Sequence, residues 1–213
     1  MRIIDLTAEM YDKAPTMPMD PKMSIVEHCN LDTLGYNLAC ITFSTHQGTH
    51  MDVPFHFFND GYTLSELDLS RMVGPACKVD LSTKKPGEAV EVSDLAPYEP
   101  QISQGMRILL HTGWDKKFPD PVFFRDFPYI TCELADWLVE KKANVVGMDI
   151  PTPNGQDWQY VHRRMLGGDC LIIEGLANLE LLPMEGFTLI AMPLKLHKRD
   201  GSPVRAVALL DEA

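Results

Sequence analysis

Three histidines and one aspartate fall within eleven residues, in the run His46-Gln47-Gly48-Thr49-His50-Met51-Asp52-Val53-Pro54-Phe55-His56. Imidazole nitrogens and a carboxylate oxygen suit a borderline divalent ion such as zinc or manganese. The spacing limits how they can share one. His50 and Asp52 are two apart, so on a strand they point to the same face. His46 lies four residues before His50, and an extended chain would separate their Cα atoms by roughly 13 Å at about 3.3 Å per residue. Gly48, Thr49 and Pro54 oppose a helix. The remaining solution is a bend, and Gly48 is the residue that makes one at least cost. His46 is therefore expected on one side of a turn, His50 and Asp52 on the other, with a metal between them. His56, four residues past Asp52 and beyond a proline, is placed near the ion as a general acid/base. Three protein ligands leave a position open for water, as catalytic sites do; structural zinc sites fill all four, often with cysteine. No cysteine lies close to this stretch.

These side chains need a framework to hold them. The chain has 213 residues, 45% apolar and 23% charged, within the range of one globular domain. Tyr36–Thr45 reads as a strand that delivers the chain into the histidine stretch. Short β-like runs cover residues 2–6, 23–29, 77–81, 106–112, 144–149, 170–174, 187–192 and 203–209. Met106–Thr112 is apolar without alternation, as a strand buried on both faces is. The clearest helix is Thr131–Ala143, with Thr131 as N-cap, Glu133 in its first turn and Lys141-Lys142 in its last. A second, short helix fits residues 157–166, and residues 64–72 fit a helical turn. Strands outnumber helices, which gives a mixed α/β class with a sheet-rich core and few helices. The proline-rich Ala14–Pro21 is a loop, either a plain connection or a cover over a site mouth.

Composition excludes some partners. Net charge is −11, and the Arg163-Arg164 pair is too short for a phosphate-binding patch, so no nucleic acid is expected. No run of about 18 apolar residues occurs, so no membrane span is expected. Met1–Leu6 turns polar by Asp5, without the apolar stretch of a signal peptide. The five cysteines (Cys29, Cys40, Cys77, Cys132 and Cys170) are odd in number and scattered, which suits a reducing cytoplasm.

The histidine stretch resembles the motif H-x-G-T-H-x-D-x-P-x-H of the cyclase family of metal-dependent hydrolases, which includes bacterial kynurenine formamidase and isatin hydrolase. Every fixed position matches. Other elements are similar along the chain: Pro18-Met19-Asp20-Pro21, Thr112-Gly113-Trp114, Gly147-Met148-Asp149, and the distal pair His162 and Glu174. The resemblance spans nearly the whole chain, and it implies a single cyclase-like domain of the swivelling β/β/α type over residues 1–213. It further implies metal ligation by His46, His50 and Asp52, with Asp52 able to bridge to a second ion held by His162 and Glu174. His56 would be the acid/base. Trp114, Asp149 and Asp20 are the candidate substrate contacts; from the residues alone, Trp114 more often fills a core than stacks on substrate, and Asp149 either orients a ligand or caps a loop. One or two divalent ions are implied, zinc first and manganese second, in a homodimer or homotetramer. Read from the residues alone, Glu174 ends an apolar run and is either leaving the core or held by a cation. The chain departs from the kynurenine formamidases after Asp149, carrying Thr152 and Asn154 where those enzymes tend to have serine and a further aspartate.

The expected chemistry is hydrolysis of an amide or cyclic amide C–N bond in a small, aromatic substrate. Two alternatives remain open at this point. One is a lactone or ester hydrolase or a cyclase using the same groups; the other is a non-catalytic metal- or ligand-binding protein.

Overall fold

The computed structural model describes residues 1–210. Eight strands form one sheet: β1 (Arg2–Asp5), β4 (His50–Asp52), β5 (Val73–Asp80), β7 (Arg107–His111), β9 (Val145–Met148), β10 (Leu171–Glu174), β11 (Phe187–Pro193) and β12 (Gly201–Leu210). Their order is β1-β12-β11-β5-β7-β9-β10-β4, and β4 also pairs with β12. That last pairing closes seven strands into a ring, with β1 running beside the far end of β12. The run β5-β7-β9-β10 is parallel and the other pairings are antiparallel.

The parallel strands explain the unbroken apolar runs, because both of their faces are covered. Ile108, Leu110, Val146, Met148 and Ile172 point outward to a core shared with α3 (Cys132–Glu140) and α4 (Trp158–Gly167). Leu109, Val145, Leu171 and Ile173 point to the opposite core, with Ile4, Leu189, Ala206 and Ala208. Gly147 lies where a Cβ would come within 2.7 Å of both Leu109 and Leu176, so this inner core closes onto bare backbone. Helix α3 begins as its sequence requires: Thr131 Oγ1 accepts from the Leu134 N–H at 3.1 Å.

One expected strand lies elsewhere. β3 (Leu38–Thr42) forms, but it does not lead directly into the site strand. Among the described residues it pairs only with β2 (Ser24–Cys29), in a separate two-stranded ribbon. The turn between them holds α1 (Leu31–Leu34), capped by Asn30. Every residue of β3 is exposed, and residues 43–49 then cross to β4 as loop. Three smaller elements, β6 (Ala89–Val90), α2 (Val92–Leu95) and β8 (Tyr129–Ile130), lie in the loop-rich region flanking β7. No helix among the described residues is long and apolar enough to cross a membrane.

Candidate active site

The bend at Gly48 is present, with φ at 63°. It is fixed from the far half of the chain, since Thr49 Oγ1 donates to the Gly175 carbonyl at 2.5 Å. A Cβ on Gly175 would lie 2.8 Å from the Gly48 carbonyl oxygen, so the two turns pack as bare backbone. Strand β4 then delivers His50 and Asp52. Its register with β10 sets Glu174 opposite His50, and its register with β12 sets Gly201 opposite Asp52. Helix α4 supplies His162. Its Nδ1 lies 2.7 Å from the Trp158 carbonyl one turn back, which leaves Nε2 facing Glu174 at 3.2 Å. His50 is held the same way: Nδ1 lies 2.8 Å from the Gly48 carbonyl and Nε2 faces Glu174 at 3.3 Å. A ring nitrogen tied to a backbone carbonyl leaves the other free as a metal ligand.

Asp52 sits at the middle of this group. It is 1% exposed, and neither carboxylate oxygen has a hydrogen-bond partner. His46 Nδ1 stands 2.9 Å from Oδ1, His50 Nε2 3.7 Å from Oδ1, and His162 Nε2 3.8 Å from Oδ2. Burial alone would raise the Asp52 carboxyl, but the His46, His50 and His56 imidazoles hold it far below the usual range. Burial alone would lower His46, yet Asp52 and Asp200 push it up to about 10. His50 and His162 are raised mainly by Glu174 against their own burial. A buried carboxylate without donors is costly unless a cation meets it. Donor atoms of His50, Asp52 and Glu174 all lie within 4.8 Å of one another, as do those of His46, Asp52 and His56. The residues therefore fit a divalent ion, with Asp52 common to both groups.

His56 stands on the Pro54–His56 turn, its ring 4.0 Å from that of His46. Asp200, in the loop before β12, joins them: Oδ2 lies 2.7 Å from His46 Nε2 and 3.5 Å from His56 Nδ1. Phe57 stacks on His162 at 4.8 Å between centroids, with the rings 16° from parallel. Above this floor opens a cavity of about 580 Å³, walled by Phe57, Phe118, Phe123, Phe124 and Trp158 and rimmed by residues 15–20.

The Cyclase family model matches residues 4–154. The chain belongs to the cyclase family. It is similar to the kynurenine formamidase of Bacillus cytotoxicus, 32% identical over 210 residues, covering 96% of this chain and 95% of that protein. The kynurenine formamidase of Geobacillus thermodenitrificans is 33% identical over 209 residues, with 95% of each chain covered. Among solved structures, isatin hydrolase A from Labrenzia aggregata bound to benzyl benzoate superposes with a TM-score of 0.91 at 26% identity, covering 99% of this chain and 94% of that one. The mixed α/β, sheet-rich architecture is thus that of the cyclase family.

Within this cyclase-family frame, His46, His50, Asp52, His56, His162 and Glu174 all come to one floor. His50 and His162 both face Glu174, whereas His46 faces Asp52, His56 and Asp200. Of the three residues expected against substrate, Asp20 reaches the cavity, on the proline-rich rim. The other two stand behind the wall. Asp149 is fully buried and accepts from Thr112 N, Thr112 Oγ1 and Gly113 N, so its carboxylate builds the turn that follows β7. Trp114 is buried on the same turn, its Nε1 donating to the Phe123 carbonyl at 2.8 Å. Asn154 lines the cavity, but its Oδ1 accepts from Gln156 N and Asp157 N and its Nδ2 donates to Ile130 O. That amide organises the loop leading into α4. Asp200 escaped the sequence reading; its one local signal is the Asp-Gly turn ahead of an apolar strand.

Proposed function

We propose that this chain is a metal-dependent hydrolase that cleaves the C–N bond of an amide or cyclic amide, acting as one domain over residues 1–213. The observation that carries this is Asp52: a buried carboxylate without donors, ringed by His46, His50, His162 and Glu174 beneath an open apolar cavity. His46, His50, Asp52, His162 and Glu174 would hold one or two divalent ions, zinc by the imidazole-rich donor set, with manganese second. When bound, the ion supplies Lewis acidity and a water acidic enough to react near neutral pH. His56 reaches the cavity and is only partly buried, so it can receive the proton from the attacking water and give it to the leaving nitrogen. Phe57, packed on His162, keeps that ring in place.

The walls favour an aromatic substrate of the size of a formanilide or an isatin. Among the described residues that line the cavity there is no Lys or Arg, which disfavours substrates recognised through a carboxylate. Kynurenine formamidases and isatin hydrolases among the relatives support the amide class. The five unpaired cysteines suit a cytoplasmic protein. A homodimer or homotetramer is supported by the β2–β3 ribbon, which exposes Val26, Leu31, Leu34, Tyr36, Leu38 and Ile41 together.

Turnover of formanilide and isatin by the zinc-loaded protein, compared with His56→Ala, tests the reading. Equal rates would remove His56 from the reaction. Turnover of lactones without turnover of either amide would move the assignment to ester chemistry.

A further inference from the structure

We infer that Asp200 is a positioning residue, whose carboxylate fixes the rings of His46 and His56 against each other and aims His46 Nδ1 at Asp52. The inference rests on the reading of the floor as a metal site. It concerns a residue more than 140 positions away in sequence from the histidines it serves.

One oxygen does both tasks. Asp200 Oδ2 lies 2.7 Å from His46 Nε2 and 3.5 Å from His56 Nδ1. The two rings stand 4.0 Å apart and 32° from parallel, so neither can swing without displacing the other. His46 has a carboxylate on each nitrogen, Asp200 at Nε2 and Asp52 at Nδ1, the latter at 2.9 Å. A cation at Nδ1 requires the ring proton on Nε2, and Asp200 is the acceptor that keeps it there.

The carboxylate is itself anchored. Thr45 Oγ1 donates to it, 3.2 Å from Oδ2 and 3.3 Å from Oδ1. The Asp200 carbonyl accepts from Val53 N at 3.0 Å, which ties the loop to the end of β4. The next residue completes the cradle. A Cβ on Gly201 would lie 2.8 Å from His46 Cε1 and 2.8 Å from the Met51 carbonyl oxygen. His46 is thus pressed onto bare backbone on one side and hydrogen-bonded on the other. An imidazole held this way has one orientation, which is what a ligand must have before the ion arrives.

The test uses Asp200→Asn and Asp200→Ala in the full chain. Zinc affinity is read by competition with a chromophoric chelator, ring tautomers by nitrogen NMR of histidine-labelled zinc-loaded protein, and kcat and KM on formanilide. Loss of an outer partner of a metal-bound histidine costs about 10–100-fold in metal affinity. Asp200→Ala is expected to weaken zinc by that factor, and to lower kcat with KM little changed. Asn keeps an acceptor oxygen in the same place, so Asp200→Asn should recover part of the affinity and retain the Nε2–H signal of His46. Zinc affinity within twofold of the parent in both variants, with His46 signals unmoved, overturns the inference. If Asp200→Ala does not fold, Asp200→Asn alone decides, since unchanged affinity together with an altered tautomer also overturns it. Should the parent bind zinc but hydrolyse no amide, the proposed activity falls, while the affinity and tautomer readouts still decide the role of Asp200.

Discussion

On the floor of the cavity, Asp52 is 1% exposed and lies on a strand hydrogen-bonded on both sides. At its rim, Met19 is 94% exposed, on a loop with three prolines between residues 15 and 21. The floor is a network of charges taken out of water, where removing one member leaves the others uncompensated. The rim is solvated, so each residue there acts nearly alone. Changes on the floor should therefore be large and non-additive, and changes on the rim small and independent.

The strongest way to break this contrast is Asp52→Asn. It should reduce bound zinc to background and kcat by at least about a thousandfold, the scale seen when one member of a unit is removed. Metal analysis and steady-state rates check it, and a variant that keeps both metal and rate would mean the floor is not a unit. His56→Ala should cost about 10²–10⁴ in kcat while bound zinc is kept, which separates proton transfer from metal holding. Gly201→Ala sets a methyl group against the His46 ring and the Met51 carbonyl. It should lower stability by about 1–3 kcal/mol, read by denaturant unfolding.

The contrast also has a pH signature. Without metal, Asp52 and Asp200 raise His46 to about 10 despite its burial. A folded value above the unfolded one of about 6.5 stabilises the fold fully below that pH, and the contribution is lost as pH rises through 10. Metal binding needs the neutral ring, so it gains with pH. The melting temperature of chelated protein should fall between pH 6.5 and 10, and its gap to the zinc-loaded protein should widen. The smallest effect is expected at the rim. Met19→Ser should change stability by less than about 0.5 kcal/mol and alter KM more than kcat. A rim variant as damaging as Asp52→Asn would erase the distinction.

The floor was legible where its chemistry is local. His46, His50, Asp52 and His56 share eleven residues, and Gly48 declared the bend they need. The apolar runs of β7, β9 and β10 declared strands covered on both faces. What the sequence hides is set by pairing between distant segments. β3 reads as a strand, but nothing in residues 36–45 says that it pairs with β2 apart from the main sheet. Trp114 and Asp149 lie just past strand ends, where binding residues gather, yet there Asp149 accepts from the Thr112-Gly113 turn and Trp114 donates to the Phe123 carbonyl. Asp200 becomes a site residue only through the register of β12 with β4, which no local pattern encodes.

That register also sets a timetable. Among the described residues β4 pairs with β10 and β12, so the strand bearing His50 and Asp52 has no partner there until residues 171–174 are made. At roughly 5–20 residues per second, Asp200 emerges on the order of ten seconds after Asp52. Through most of that interval the nascent chain carries its histidine-rich stretch without His162 and Glu174, the far half of the site. A chain that stops short of β12 carries all five proposed ligands but lacks both Asp200, which orients His46, and the strand that pairs with β4 on its second side.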